Sequence, residues 1–134
     1  KAIPSVAALV EAMFIAELHN GLLTAGHDLA RVSGTVRIAA AQGGETYPGL
    51  RGETLTLKPG DMYIADQVGI LSAILGGPDG RTPIQADTQA VLFTVYAPAG
   101  IPLAAVQAHL DEIDTLVHLI SPQASLLYKQ ILSA

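Results

Sequence analysis

"GGPDGRTPIQADTQAVLFTVYAP", residues 76–98, sets a dense cluster of turn-forming residues directly ahead of a long β-prone run. Gly76-Gly77 and Pro78-Asp79-Gly80 are turn signals. "AVLFTVYA" is continuous, rich in β-branched and aromatic residues, and bounded by polar residues and Pro98, which predicts a strand. Upstream, "YIAD" and "GILSAIL" are two short apolar runs, predicting adjacent and mostly buried strands. Before them, "TVRIAA" alternates with period two, as a strand does. The residues from Gly43 to Asp66 then read as short strands cut by Gly43-Gly44, Pro48-Gly49, Gly52 and Pro59-Gly60.

On either side of this β-rich middle the period lengthens. Val6, Leu9, Val10, Met13, Phe14 and Glu17 recur at three and four, predicting a helix from Ile3 to Leu18 with Ser5 as N-cap and Asn20-Gly21 as its end. Pro102 suits the first turn of a second helix, with Leu103, Val106, Leu110, Ile113, Leu116, Val117 and Ile120 on one face. Ser121-Pro122 breaks it, and "QASLLYKQIL" reads as a short closing helix. The order predicts an α+β fold, a mostly antiparallel sheet flanked by helices.

With 134 residues, the chain is read as one domain, 1–134, able to bury roughly two-thirds of its unfolded surface. It begins at Lys1 without a methionine, so a fragment or an N-terminally truncated domain is one reading. Half the residues are apolar and 14% are charged. Part of that apolar surface is expected to meet a partner, and a homo-oligomer is one option. The absence of cysteine excludes disulfides, thiolate metal sites and cysteine nucleophiles. Apolar runs fall far short of the ~20 residues that span a bilayer, and no signal peptide is evident. A soluble cytoplasmic domain without membrane partners is the expectation.

The net charge of −5 is unevenly spread. Residues 29–60 carry Arg31, Arg37, Arg51 and Lys58 against Glu45 and Glu53, giving +2. Residues 61–134 carry Arg81 and Lys129 against seven acids, giving −5. A chain without excess basic residues has only a local, weak contact with nucleic acid to offer.

No pair of the histidines His19, His27, His109 and His118 has the four-residue spacing of a helical zinc site, and no metal is expected. No nucleophile elbow, phosphate loop or metalloprotease motif is present. His109 and His118 read as surface or half-buried helix residues. His27 follows "TAG" into a loop as a candidate pocket residue, while Asp28 suits the cap of the turn "DLAR". Arg81, two residues after Asp79, either pairs locally or clamps a carboxylate or phosphate. Thr82 and Thr88 flank it, Thr88 as a cap of local backbone groups.

The ordered set Asp28, Val32, Gly34, Val36, Gly44-Glu45-Thr46, Ile64-Ala65-Asp66, Gly76-Gly77, Asp87-Thr88 and Val91-Leu92 resembles the B3/B4 domain. That domain occurs in the β-subunit of bacterial phenylalanyl-tRNA synthetase and in stand-alone proteins. The resemblance runs from about Val10 to Pro98. Asp79-Gly80-Arg81-Thr82 with Ile84, Asp87 and Thr88 brings the chain nearer to the stand-alone members. In the synthetase the domain hydrolyses tyrosine wrongly attached to phenylalanine tRNA, without a metal, using backbone groups and the tRNA's own terminal hydroxyls.

The resemblance therefore implies a pocket between the "TAGHD" loop, the Gly76-Gly77 turn and the strand 89–96. Gly76, Gly77, Arg81, Thr82 and Thr94 would line it, with His27 at its mouth. The partner implied is a tRNA acceptor end or an amino-acid-like small molecule, with no cofactor. Ala25 stands where the synthetase carries a histidine, and Thr94 where it carries the glutamate that reads the tyrosine hydroxyl. Its later pocket segment has no counterpart after Pro98. Tyrosine-specific editing is not expected, because that hydrogen-bond partner supplies the discrimination. Two functions stay open: binding of an aminoacyl group or tRNA end with trans-editing ester hydrolysis, or a non-catalytic small-molecule or protein-binding module.

Overall fold

A computed structural model describes residues 5–132, with side chains from Ala8 onward. The chain runs α1 (Ser5–Asn20), β1 (Thr24–Asp28), a 3₁₀ turn (Leu29–Arg31), β2 (Arg37–Ala40), β3 (Thr46–Pro48), β4 (Thr54–Thr56) and β5 (Met62–Ala65). It continues with β6 (Ile70–Ala73), β7 (Gly77–Pro78), β8 (Val91–Val95) and α2 (Leu103–Ile120). Helices and antiparallel strands make the fold α+β, as the hydrophobic periods predict. Ile3 and the capping side chain of Ser5 lie outside the described residues. Among the described residues no helix is long and apolar enough to cross a membrane.

Two compact units divide the chain: Ala25–Thr94, and the residues up to Thr24 together with those from Val95. In the first unit, β2, β5, β6 and β7 form a four-stranded sheet in that order, every neighbour antiparallel. β3 and β4 form a hairpin, and β1 pairs with β8. A bulge between Ile64 and Ala65 shifts the β5–β6 register by one residue. The core of this unit gathers Ala41, Tyr47, Leu57, Tyr63, Ala65 and Ala73, with Ala39, Leu55 and Ile70 packed against them. Sheet and hairpin thus bury one face each against the other, which neither short element could do alone.

In the second unit α1 packs against α2. The buried stripe of α1 is Ala8, Ala12 and Ala16, whereas Phe14, Ile15 and Leu18 are exposed. Larger apolar residues were the expected inner face. Alanines four apart lie on one helix face and let a neighbouring backbone approach closely, which bulkier side chains there would prevent. α2 buries Val106 and Ile113 from its expected face, together with His109, while Leu103 and Ile120 are exposed. Pro102 takes the N-cap position, just outside the first turn it was expected to occupy.

His109 is fully buried, neither at the surface nor half-buried as expected. Asn20 Nδ2 donates to its Nδ1 at 3.1 Å, and its Nε2 donates to Thr24 Oγ1 at 2.7 Å. Burial pushes its pKa down, against the pull of Glu112 and Glu17. The closing helix is absent: residues 124–132 carry no helical structure. Ten residues are too few for a stable helix without a packed face, and Leu126, Leu127, Tyr128 and Leu132 are exposed.

Candidate functional site

Residues 76–90 carry the short strand β7 and then a loop leading to β8, all within the Ala25–Thr94 unit. Gly77 has φ +80°, a conformation that favours glycine. At Gly76 a Cβ would meet the Tyr47 hydroxyl at 2.2 Å, and that hydroxyl donates to the carbonyl of Gly77 at 2.8 Å. Gly76 is thus explained by the tyrosine lying against the turn, and Gly77 by its backbone conformation.

Beyond the turn the polar residues go inside. Asp79 and Thr82 are buried, and so is His27 on β1. Asp79 Oδ1 accepts the Thr82 hydroxyl at 2.5 Å and the Thr82 backbone N–H at 3.2 Å. With that hydrogen committed, Thr82 Oγ1 accepts from His27 Nδ1 at 2.8 Å. The ring therefore carries its hydrogen on Nδ1, and Nε2 keeps a lone pair that is buried and has no hydrogen-bond partner. Burial holds the His27 pKa below its ordinary value; Asp79 and Asp66 oppose this and Arg81 assists it. His27 is fully buried, not at a mouth.

Arg81 is part-exposed, with 29% of its side chain accessible. Its Nη2 donates to Asp66 Oδ1 at 2.8 Å, its Nη1 donates to the Arg31 carbonyl at 2.8 Å, and its Nε lies 3.8 Å from Asp79 Oδ2. Asp66 also accepts the backbone N–H groups of Ser33, Val68 and Gly69. Desolvation opposes the charge on Asp66, yet the Ser33 and Gly69 amides, Arg81 and Val68 outweigh it and pull the pKa to about 2. A fixed carboxylate thereby fixes the guanidinium.

The rest of the loop is tied to the end of β1. Asp28 caps the 3₁₀ turn by accepting from Ala30 N–H, as expected, and also accepts from Thr88 Oγ1 at 3.0 Å. Thr88 Oγ1 in turn accepts the Gln85 backbone N–H, the local capping role expected of it. Arg31 reaches both Gln85 Oε1 and Asp28. Ile84 and Phe93 close over the backbone of Gly26, where a Cβ would lie 2.8 Å and 3.4 Å from them.

Among the expected site residues, His27 and Thr82 are in direct contact, and Arg81 joins them through Asp79. Thr94 Oγ1 faces the Ala25 carbonyl at 3.4 Å, two residues along β1 from His27. Gly76 and Gly77 are engaged by Tyr47 instead. Asp66, Asp79 and Tyr47 were not singled out as site residues. Asp66 stood in the sequence only as the last letter of "IAD", and nothing local announces a partner fifteen residues away. Among the described residues no group of three or more His, Cys, Asp or Glu side chains could hold a metal ion.

The sequence profile of the B3/4 domain matches residues 2–113. The chain belongs to the B3/4 domain family. The match reaches further at both ends than the motif order alone, taking in α1 and most of α2. This B3/4 domain is 41% identical over 71 residues to the phenylalanine–tRNA ligase β subunit of Paramagnetospirillum magneticum, covering 52% of this chain and 9% of that protein. It is 46% identical over 52 residues to the β subunit of Cereibacter sphaeroides, covering 37% and 6%. The chain thus spans less than a tenth of the length of these curated relatives. An N-terminal fragment of the phenylalanyl-tRNA synthetase β-subunit from Pyrococcus horikoshii shares the fold, with a TM-score of 0.73 at 18% identity over 84% of this chain and 40% of that one.

Proposed function

We propose that this B3/4 domain binds the aminoacyl end of a transfer RNA in the Ala25–Thr94 unit, beside Arg81. The observation that carries the reading is the state of that side chain. Asp66 and the Arg31 carbonyl each take one N–H of a terminal nitrogen, leaving the second N–H of each for a ligand. A guanidinium already fixed and still part-exposed loses little freedom when it receives a phosphate or carboxylate. The similarity to tRNA ligase β subunits supports the same ligand class. His27 and Thr82, fully buried, support Arg81 from inside through Asp79 in this reading, and metal-independent hydrolysis of the aminoacyl ester is the reaction such binding serves.

The test is retention of deacylated and mischarged tRNAs at low salt, with ester hydrolysis followed in parallel. Retention should fall shallowly with salt, as neutralising about one or two phosphates requires. Arg81→Ala should weaken it about tenfold with the circular dichroism spectrum unchanged, and Arg81→Lys should recover part of the loss. Absence of retention and of turnover on every charged tRNA would remove the reading.

A second reading, a non-catalytic binding module, is favoured by one observation. Nε2 of His27 and Oδ2 of Asp79 are both shut off from solvent, so neither is placed to take a proton from an attacking water. Tight retention of charged tRNA without turnover would select it.

A further inference from the structure

His118 lies in the last turn of α2, beyond the residues matched by the family profile. Its Nδ1 is 2.8 Å from the backbone carbonyl of Asp114, and its Nε2 is 2.9 Å from the carbonyl of Ala124. A carbonyl oxygen only accepts hydrogen bonds. A neutral imidazole has one N–H, so its other nitrogen would turn a lone pair toward a carbonyl lone pair. Both contacts are made together only when both nitrogens carry hydrogen. The Asp114 carboxylate, 3.2 Å from Nδ1, supplies the countercharge.

Ala124 belongs to the segment that leaves α2 at Ser121 and turns back. Ser121 N–H still bonds the Val117 carbonyl, Ala124 N–H bonds the Ser121 carbonyl, and Lys129 Nζ reaches Asp111 Oδ1 at 2.5 Å. Asp111 is about two helical turns before His118, roughly 10 Å along the axis. The segment is therefore fastened at two points along one helix while Leu126, Leu127 and Tyr128 stay exposed.

We propose that the imidazolium form of His118 is a pH-operated clasp that holds residues 121–132 along the end of α2 and opens when the ring loses a proton. The charged group beside the ring is Asp114 of the same helix. From the returning segment comes Lys129, already paired with Asp111. The Asp114 carbonyl, the Ala124 carbonyl and the Asp114 carboxylate together raise the affinity of the ring for its second proton, against a smaller desolvation effect. The ordinary value is 6.5. The clasp is thus complete below that value and is lost as pH rises through the higher folded one.

Amide hydrogen exchange of residues 121–132 at about pH 5.5 and pH 8, corrected for intrinsic rates, tests this. The clasp is solvent-exposed, so protection should fall only about three- to tenfold at the higher pH. His118→Gln should show the weaker protection at both pH values. Lys129→Met should lower protection at both while keeping the pH step, because it releases the other fastener. Nitrogen-15 spectra of the ring should show both nitrogens protonated at the lower pH. Protection that does not change with pH in the unaltered chain, a pH step surviving in His118→Gln, or a ring pKa at or below about 6.5 would each overturn the proposal.

Discussion

Nδ1 of His27 donates to Oγ1 of Thr82 at 2.8 Å, and both side chains are fully buried. The two residues are 55 positions apart, so this bond fastens the loop after β7 to β1. Because the Thr82 hydrogen goes to Asp79, the threonine is the relay that gives both neighbours a partner.

Replacing that relay by a side chain of the same shape without a hydroxyl leaves two buried groups unsatisfied, the His27 N–H and one lone pair of Asp79. Each orphaned group costs about 1–3 kcal/mol. Thr82→Val should therefore lower the unfolding free energy in urea by roughly 2–4 kcal/mol, whereas Thr82→Ser, which keeps the oxygen, should lose about 1 kcal/mol or less. A larger loss in Thr82→Ser than in Thr82→Val would show that the methyl packing of Thr82, not its hydroxyl, holds the loop.

The same burial sets a pH dependence. The folded state holds His27 and His109 below the ordinary imidazole value, with burial the main cause in both. As pH falls through about 6.5 the unfolded chain takes up protons that these two rings refuse. Stability should then decline from about pH 7.5 toward pH 5.5, and the decline should level off below the folded values. His118 acts in the opposite sense, from an exposed site and weakly. Urea midpoints across this range check the net sign. His27→Gln, which cannot take up a proton, should flatten the slope, and an undiminished slope would assign the effect to His109.

Asp66 governs a lower range. Its folded pKa, about 2, lies below the ordinary 3.8, so its contribution is present above the ordinary value and disappears as pH falls toward the folded one. Asp66→Asn removes the charge facing Arg81 and weakens three amide bonds, with an expected loss on the order of 2 kcal/mol at neutral pH. The mutant should lose the part of the acid transition between about pH 4 and pH 2 that this carboxylate supplies. An acid limb identical to that of the unaltered chain would mean that Asp66 keeps its ordinary proton affinity.

How much of this was legible in the residues depends on distance along the chain. The strands were, because Gly and Pro pairs cut the β-prone runs at nearly every turn, and the antiparallel partners β5 and β6 lie four residues apart. The buried face of α1 was not. A hydrophobic periodicity favours leucine and phenylalanine over alanine, but close helix packing selects the smaller residue. The closing helix failed for a related reason: its apolar side chains find no covering surface, and the Ala124 carbonyl goes to His118 instead. Arg81 stood out because basic residues are scarce in the second half of the chain. Its partner Asp66, and the His27–Thr82 pair, depend on strand order and register, which no local pattern encodes.

Gly76 and Gly77 separate two reasons for a glycine. At Gly77 the space is open and only the backbone resists a side chain, so Gly77→Ala should cost about 1–2 kcal/mol. At Gly76 the added methyl would overlap the Tyr47 hydroxyl, which the core holds in place, so Gly76→Ala should cost at least about 2 kcal/mol. Tyr47→Phe removes the overlapping oxygen along with its bond to the Gly77 carbonyl and destabilises the protein by itself. In the double mutant the two losses should not add. The methyl then occupies the room the hydroxyl vacated, giving a coupling of about 1 kcal/mol or more. Thermal unfolding of the four proteins closes this cycle. Additive losses would mean that Gly76 is required for something other than the approach of Tyr47, and a ligand cradle at the glycine turn would regain its standing.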